Sequence, residues 1–165
     1  MPFRAETVGN AILELHASPF ELILGRRTYD IWADYWPSVT GNAIGDAFNN
    51  TVKHVATHRP DSLSWKGSQA IEGALGPAVR DLKSQSDVDL LTWGSSEVVR
   101  QLLAAGLIDT IWLFVYPVVL GRGKRLFDEN TMPSTFNVAQ SETSTTGIQV
   151  LQLERAGDVR TGSYT

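Results

Sequence analysis

"ELILGRRTYDIW", residues 21–32, is the stretch on which the reading of the chain turns. Leu22, Ile23 and Leu24 read as a buried strand, which Gly25 breaks. Thr28 to Tyr35 then reads as a short helix, closed by Pro37. Arg26 and Arg27 fall at the start of that helix. A helix N-terminus carries partial positive charge and unpaired N–H groups, so it favours acids and disfavours cations. An anion held in a cleft at the strand end would resolve the conflict. The alternative is solvation, because two adjacent residues cannot share one helical face; for Arg27 the two readings stand level.

Working outward, helices and strands alternate. Val8, Ile12 and Leu15 recur on one face of a helix over Glu6–Ala17, which Pro19 ends. The strand Phe20–Leu24 follows, then the short helix. Thr40–Asn50 reads as loop with at most one weak helical turn. Val52–Thr57 is a strand, Arg59–Ser62 a turn, and Leu75–Gln85 a helix that tolerates Pro77 in its first turn. Val88–Trp93 is a strand, and Gly94-Ser95-Ser96 opens a helix running to Ala105. Thr110–Tyr116 is an apolar strand. Phe136–Glu142 and Ile148–Glu154 read as an antiparallel pair. The pattern predicts a mainly parallel central sheet with helices on both faces and a C-terminal antiparallel hairpin, in one domain over residues 1–165.

Composition narrows the functional classes. The chain has 165 residues, 42% hydrophobic and 19% charged, with a formal charge of -4. That balance argues against a nucleic-acid partner. With no cysteine, it has neither a disulfide framework nor a thiolate metal site, which suits a reducing cytoplasm. His16 and His54 have no partner at metal-ligand spacing and read as structural or exposed, so no metal is expected. No apolar run is long enough to span a bilayer, so no membrane partner is expected.

In such sheets, ligands bind at the carboxyl ends of the strands. Three strands here end in groups suited to anions: Gly25-Arg26-Arg27-Thr28, Thr57-His58-Arg59 and Gly94-Ser95-Ser96. Glycine admits close approach of backbone, helix N-termini present N–H groups, and arginine binds phosphate bidentately. Each piece has a plainer reading. Gly-Ser-Ser before a helix is most often an N-cap, in which Ser95 or Ser96 accepts a backbone N–H. His58 taken alone is a surface residue. Only the combination on one sheet edge points to a dinucleotide.

The segments "LILGRRTYDIWADYWP" (22–37), "KHVATHRPDSLSW" (53–65) and "DLLTWGSSEVVRQLLAAGLIDTIWLFVYPVVLGRGKRLF" (89–127) together resemble the dihydrofolate reductase-like family. More narrowly, they are similar to its bacterial branch related to the reductase domain of riboflavin biosynthesis, the RibD C-terminal domain. The match runs from about Phe3 through "GDVRTGSY" (157–164). The resemblance implies the three-layer α/β fold of that family and NADPH as hydride donor. It places Gly25, Arg26, Arg27 and Thr28 at the cofactor's phosphates, with Arg26 toward the adenosine 2′-phosphate and Thr28 near the pyrophosphate. Thr57, His58 and Arg59 match the loop beside the 2′-phosphate. Gly94, Ser95, Ser96 and Val98 match the turn against the pyrophosphate, with serines where the folate-reducing members have glycines.

On the substrate side, the resemblance assigns Trp32, Trp36 and Trp93 to the slot for a small heterocycle, and Glu6 to the catalytic carboxylate. Paired tryptophans at helical spacing are otherwise core, and Glu6 is otherwise a first-turn acid facing the helix dipole. The implied activity is NADPH-dependent reduction of a pterin- or pyrimidine-like ring, and the resemblance allows a homodimer. Two rivals remain. One is 5-amino-6-(5-phosphoribosylamino)uracil reductase of riboflavin biosynthesis, with Arg122, Lys124 and Arg125 offered to the ribose phosphate. The other is a nucleotide-binding or interaction module without turnover. Family members begin with a strand that this chain apparently lacks. An empty slot in the sheet would leave backbone groups unpaired, so the expectation is closure of the sheet, a partner in the slot or, preferred, an N-terminal extension.

Overall fold

The computed structural model describes residues 6–127, 129 and 131–159; the ends of the family-like stretch, Phe3 and residues 160–164, lie outside them. Its elements in chain order are α1 (Glu6–Leu15), β1 (Phe20–Gly25), α2 (Arg26–Tyr35), α3 (Ala43–Asn50), β2 (Lys53–Ala56), β3 (Ser68–Ala70), α4 (Leu75–Gln85), β4 (Asp89–Leu91), α5 (Ser96–Ala104), β5 (Thr110–Val115), β6 (Thr135–Thr143) and β7 (Gln149–Gly157). They group into two compact units, residues 15–107 and the remainder.

The 15–107 unit is a four-stranded parallel sheet in the order β3-β2-β1-β4. Alternation along the strands separates its two faces. Phe20, Leu22, Leu24 and Val55 point to one face and form a core with Tyr29, Phe48 and Trp65 from outside the sheet. Tyr29 is sealed there because its hydroxyl accepts the backbone N–H of Trp65 at 2.8 Å. Helices α4 and α5 bury Leu75, Val79, Val98, Leu102 and Leu103. Two elements escape the sequence reading. Residues 43–50 are a full helix rather than a weak turn: Asn42 caps it by accepting the N–H groups of Ile44 and Gly45 at 3.0 and 3.1 Å. The strand β3, only three residues long, carries too little pattern to be read from sequence.

The second unit contains the three-stranded antiparallel sheet β5-β7-β6. The C-terminal hairpin pairs as expected, with a register shift between Val138 and Gln140. Ser144 closes its turn, accepting the Ile148 N–H on its hydroxyl at 3.0 Å. β5 pairs antiparallel with β7 instead of extending the parallel ladder. Among the described residues β4 therefore has β1 as its only strand partner, and β5 has only β7. The family's fold class stands, while closure into one ladder is not found there. None of the described helices is long and apolar enough to cross a membrane.

Candidate functional site

The parallel register places Gly25 beside Ala56, and β4 flanks β1 on its other side. The carboxyl ends of β2, β1 and β4 thus share one edge. The residues after them, 25–28, 57–59 and 94–98, are brought together as expected.

Arg26 answers the charge conflict at the start of α2 with protein groups. Its Nε donates to Asp30 Oδ1 at 2.8 Å, one helical turn on. Its Nη1 donates to Ser62 Oγ at 2.7 Å, to the Arg59 carbonyl at 3.1 Å and, more weakly, to Thr57 Oγ1 at 3.4 Å. Arg26 is therefore a clip that ties α2 to the loop 57–62, and among the described residues its Nη2 has no hydrogen-bond partner. Asp30 also meets Arg59 Nη2 at a loose 3.5 Å. Arg27 and His58 are exposed. Thr57 holds its own loop, accepting the Arg59 N–H at 3.0 Å.

The turn into α5 is strained. Gly94 and Ser95 both have positive φ, 59° and 50°. Ser95 occupies the N-cap position but makes no side-chain cap, so the N-cap expectation for this serine fails. Its hydroxyl instead accepts the Gly25 N–H at 2.9 Å and donates to Thr28 Oγ1 at 2.7 Å. α2 likewise has no side-chain cap on its N-cap residue, Gly25. Two helix N-termini with uncapped N–H groups are thereby joined side by side. Glycine is required at 25: a Cβ there would lie 2.9 Å from Ser95 Oγ and 3.2 Å from Val98 Cγ2. Val98 is buried beneath this contact, so it sets the spacing of the two helix starts from below. A Cβ on Gly94 would meet nothing within 4 Å, which leaves room for a ligand beside the turn.

Trp32 and Trp36 both pack on Phe48, and Trp93 joins them through Trp32. Trp32 lies nearly parallel to Phe48 with centroids 4.9 Å apart, and Trp36 meets the same ring edge-on at 4.9 Å. Trp93 is 6.4 Å from Trp32, and its indole N–H donates to His16 Nε2 at 3.2 Å. All three are half-buried, packed on the core without being sealed in it. Glu6 opens α1 as an exposed first-turn acid, in the other unit.

Two polar features were not read from sequence. His54 is buried between neighbouring strands: Nε2 meets Glu21 Oε2 at 2.7 Å, and Nδ1 meets Gln69 Nε2 at 3.0 Å. Its partners are far away in sequence and adjacent only through strand register. Lys53 is fully buried, with Nζ donating to the carbonyls of Lys66 at 2.9 Å and Asn49 at 3.1 Å, and lying 4.4 Å from the Trp65 ring centre. Burial, and then the nearby charge of Lys66, push its pKa down to about 8.

Comparison with known proteins identifies the family and the fold. The uncharacterised protein YyaP of Bacillus subtilis (strain 168) is 24% identical over 131 residues, 77% of this chain and 69% of YyaP. Among solved structures, a Shewanella sp. PV-4 protein named for riboflavin biosynthesis superposes with a TM-score of 0.67 at 22% identity, over 94% of this chain and 82% of its own. A pyrimidine reductase-like protein of Corynebacterium diphtheriae NCTC gives 0.65 at 14% identity, over 95% and 84%. These structures share the fold. The model of the RibD C-terminal domain matches residues 9–150, and that span holds both helix starts and the tryptophan group: the chain belongs to the RibD C-terminal domain family.

Proposed function

We infer that the protein reduces a flat heterocycle of the pterin or pyrimidine class, with NADPH as hydride donor. The observation that carries this reading is the Ser95 bridge, which sets the uncapped N-termini of α2 and α5 side by side. Such N–H groups and dipoles favour the phosphates of a dinucleotide, and the open space at Gly94 lets it approach. When bound, NADPH supplies the hydride; the chain binds and orients the reactants and keeps water out.

In this reading Thr28 and the first-turn N–H groups of both helices hold the pyrophosphate. Arg26, through Nη2, together with Arg27, His58 and Arg59, takes the 2′-phosphate. Trp32, Trp36 and Trp93 flank the substrate ring, as flat aromatic walls suit a planar heterocycle. Glu6 holds a ring nitrogen or relays a proton, a role that rests on the family resemblance alone. Membership of the family and the name of the Corynebacterium relative support the substrate class. The cysteine-free composition is in keeping with a cytoplasmic enzyme, and a homodimer is the assembly we assign on the resemblance.

Calorimetric titration with NADPH and NADH, followed by assays of NADPH oxidation with dihydropterins and aminopyrimidines, tests the reading. Preferential NADPH binding and turnover of one ring class are expected. Equal affinity for the two cofactors would end the preference for NADPH. Binding without turnover would overturn the enzyme reading in favour of a nucleotide-binding module. Turnover confined to 5-amino-6-(5-phosphoribosylamino)uracil would narrow the assignment to riboflavin biosynthesis.

A further inference from the structure

Ser95 is the one non-glycine residue with positive φ among the described residues, at φ 50° and ψ 61°. A side chain in this region is strained, and glycine there would not be. The backbone therefore gains nothing from serine at this position. What serine adds is its hydroxyl, and the hydroxyl does not cap α5. It reaches across to the other helix start, accepting from Gly25 N–H at 2.9 Å and donating to Thr28 Oγ1 at 2.7 Å.

The direction of these bonds has a chemical consequence. A hydroxyl has one hydrogen to give. Ser95 gives its hydrogen to Thr28, so a lone pair of Thr28 is occupied while the Thr28 hydrogen is not. No other hydrogen bond of the Thr28 hydroxyl is recorded among the described residues. Hydrogen bonds running in one sense polarise each other. The sequence Gly25 N–H, Ser95 O–H, Thr28 O–H therefore ends in a strengthened donor on a half-buried residue at the third position of α2. We propose that Ser95 is a positioning residue that commits the Thr28 hydroxyl to donating a hydrogen bond to a pyrophosphate oxygen of the bound dinucleotide. This rests on the cofactor reading above and adds to it a residue that acts through another.

A tie between β1 and α5 with no role in binding predicts a different outcome from the same substitutions. Ser95→Gly removes the hydroxyl and also the backbone strain, so a positioning role moves ligand affinity without lowering the melting temperature. The pyrophosphate is common to NADPH and NADH, so both should weaken alike, about fivefold for a lost donor of ordinary strength. Thr28→Val should weaken both by about the same factor or more, and Thr28→Ser should restore binding. In the Thr28→Val background, Ser95→Gly should change affinity less than about twofold, because the residue it acts through is gone.

Calorimetric titration of the four variants and the unaltered protein with NADPH and NADH, beside thermal unfolding, reads all of this. Unchanged affinity in Ser95→Gly overturns the proposal, and so does an undiminished fivefold loss on top of Thr28→Val. A lowered melting temperature with unaltered affinity would assign Ser95 to the structural tie. An unaltered protein that binds neither dinucleotide would overturn the cofactor reading itself, and the proposal with it. Firm binding that is indifferent to Ser95 overturns the proposal alone.

Discussion

Arg26 and Lys53 are both cations placed where charge is disfavoured, and the fold treats them differently. Arg26 opens a helix, against the dipole, and has a carboxylate one turn away at 2.8 Å plus three oxygens around Nη1. Lys53 lies inside β2 with no exposed surface, and only two carbonyls and an aromatic face answer it. Among the described residues no carboxylate pairs with it. Carbonyl dipoles compensate a buried ammonium less than an ionised partner does. The proton on Lys53 is accordingly held weakly, with its pKa pushed down from 10.5 to about 8. A carboxylate at hand makes a misplaced cation a fastening; dipoles alone leave it a titratable weakness.

The largest expected effect lies at Lys53. In the unfolded chain its amine titrates near 10.5, in the folded protein near 8. Between those values the unfolded chain holds more protons, so raising the pH favours folding. Stability should climb across that window by up to about 3 kcal/mol. Lys53→Met should remove that climb, seen as urea midpoints at pH 8, 9 and 10 that no longer rise relative to the unaltered protein. Parallel curves for the two proteins would mean that the buried amine is better compensated than its surroundings indicate.

Gly25→Ala comes next. It leaves every charge in place and intrudes only on the contact between the two helix starts, with Ser95 Oγ at 2.9 Å and Val98 Cγ2 at 3.2 Å from the new atom. Overpacking of this kind costs about 1–3 kcal/mol. NADPH affinity should fall at least about tenfold as the helix starts move apart. Full stability with full affinity would show that the junction has slack and that charge, not fit, organises this edge.

Arg26→Ala separates fastening from ligand binding. Losing the clip should cost about 1–2 kcal/mol of stability by urea unfolding. A lost contact to the 2′-phosphate should weaken NADPH by about an order of magnitude and leave NADH nearly unaffected. Equal weakening of both cofactors would make Arg26 a fastening alone, which its four recorded partners already favour in the free protein.

What could be read from sequence follows the range of the interaction. Alternating elements, the three strand ends and the tryptophan pair at i and i+4 rest on local spacing, and the structure brings them together. The Arg26–Asp30 pair also has helical spacing and was legible in principle. The reach of Arg26 to Ser62 spans 36 positions, and that of Ser95 to Thr28 spans 67. No local pattern announces either. The N-cap expectation for Ser95 failed for that reason: a distant donor, the Gly25 N–H, takes the hydroxyl oxygen that the serine's own helix would otherwise use. His54 repeats the lesson, since Glu21 and Gln69 become its neighbours only when β1, β2 and β3 are in register.

Glu6 should give the smallest effect on stability, and it tests how far charge placement at a helix start can mislead. Arg26 stands against the dipole of α2; Glu6 stands with that of α1, as an exposed first-turn acid. Its position is explained by the dipole without any ligand. An exposed acid at a helix start contributes about 0.3–1 kcal/mol. Glu6→Gln keeps the shape and removes the charge, so a dipole role predicts a loss of that size in urea unfolding and unchanged turnover. A carboxylate that holds a ring nitrogen or relays a proton predicts a fall in kcat of about a hundredfold or more. Steady-state kinetics across pH, beside the unfolding curve, decides between them. Unchanged kcat with slightly lowered stability would return Glu6 to the helix dipole and leave the tryptophan group as the only assigned part of the substrate slot.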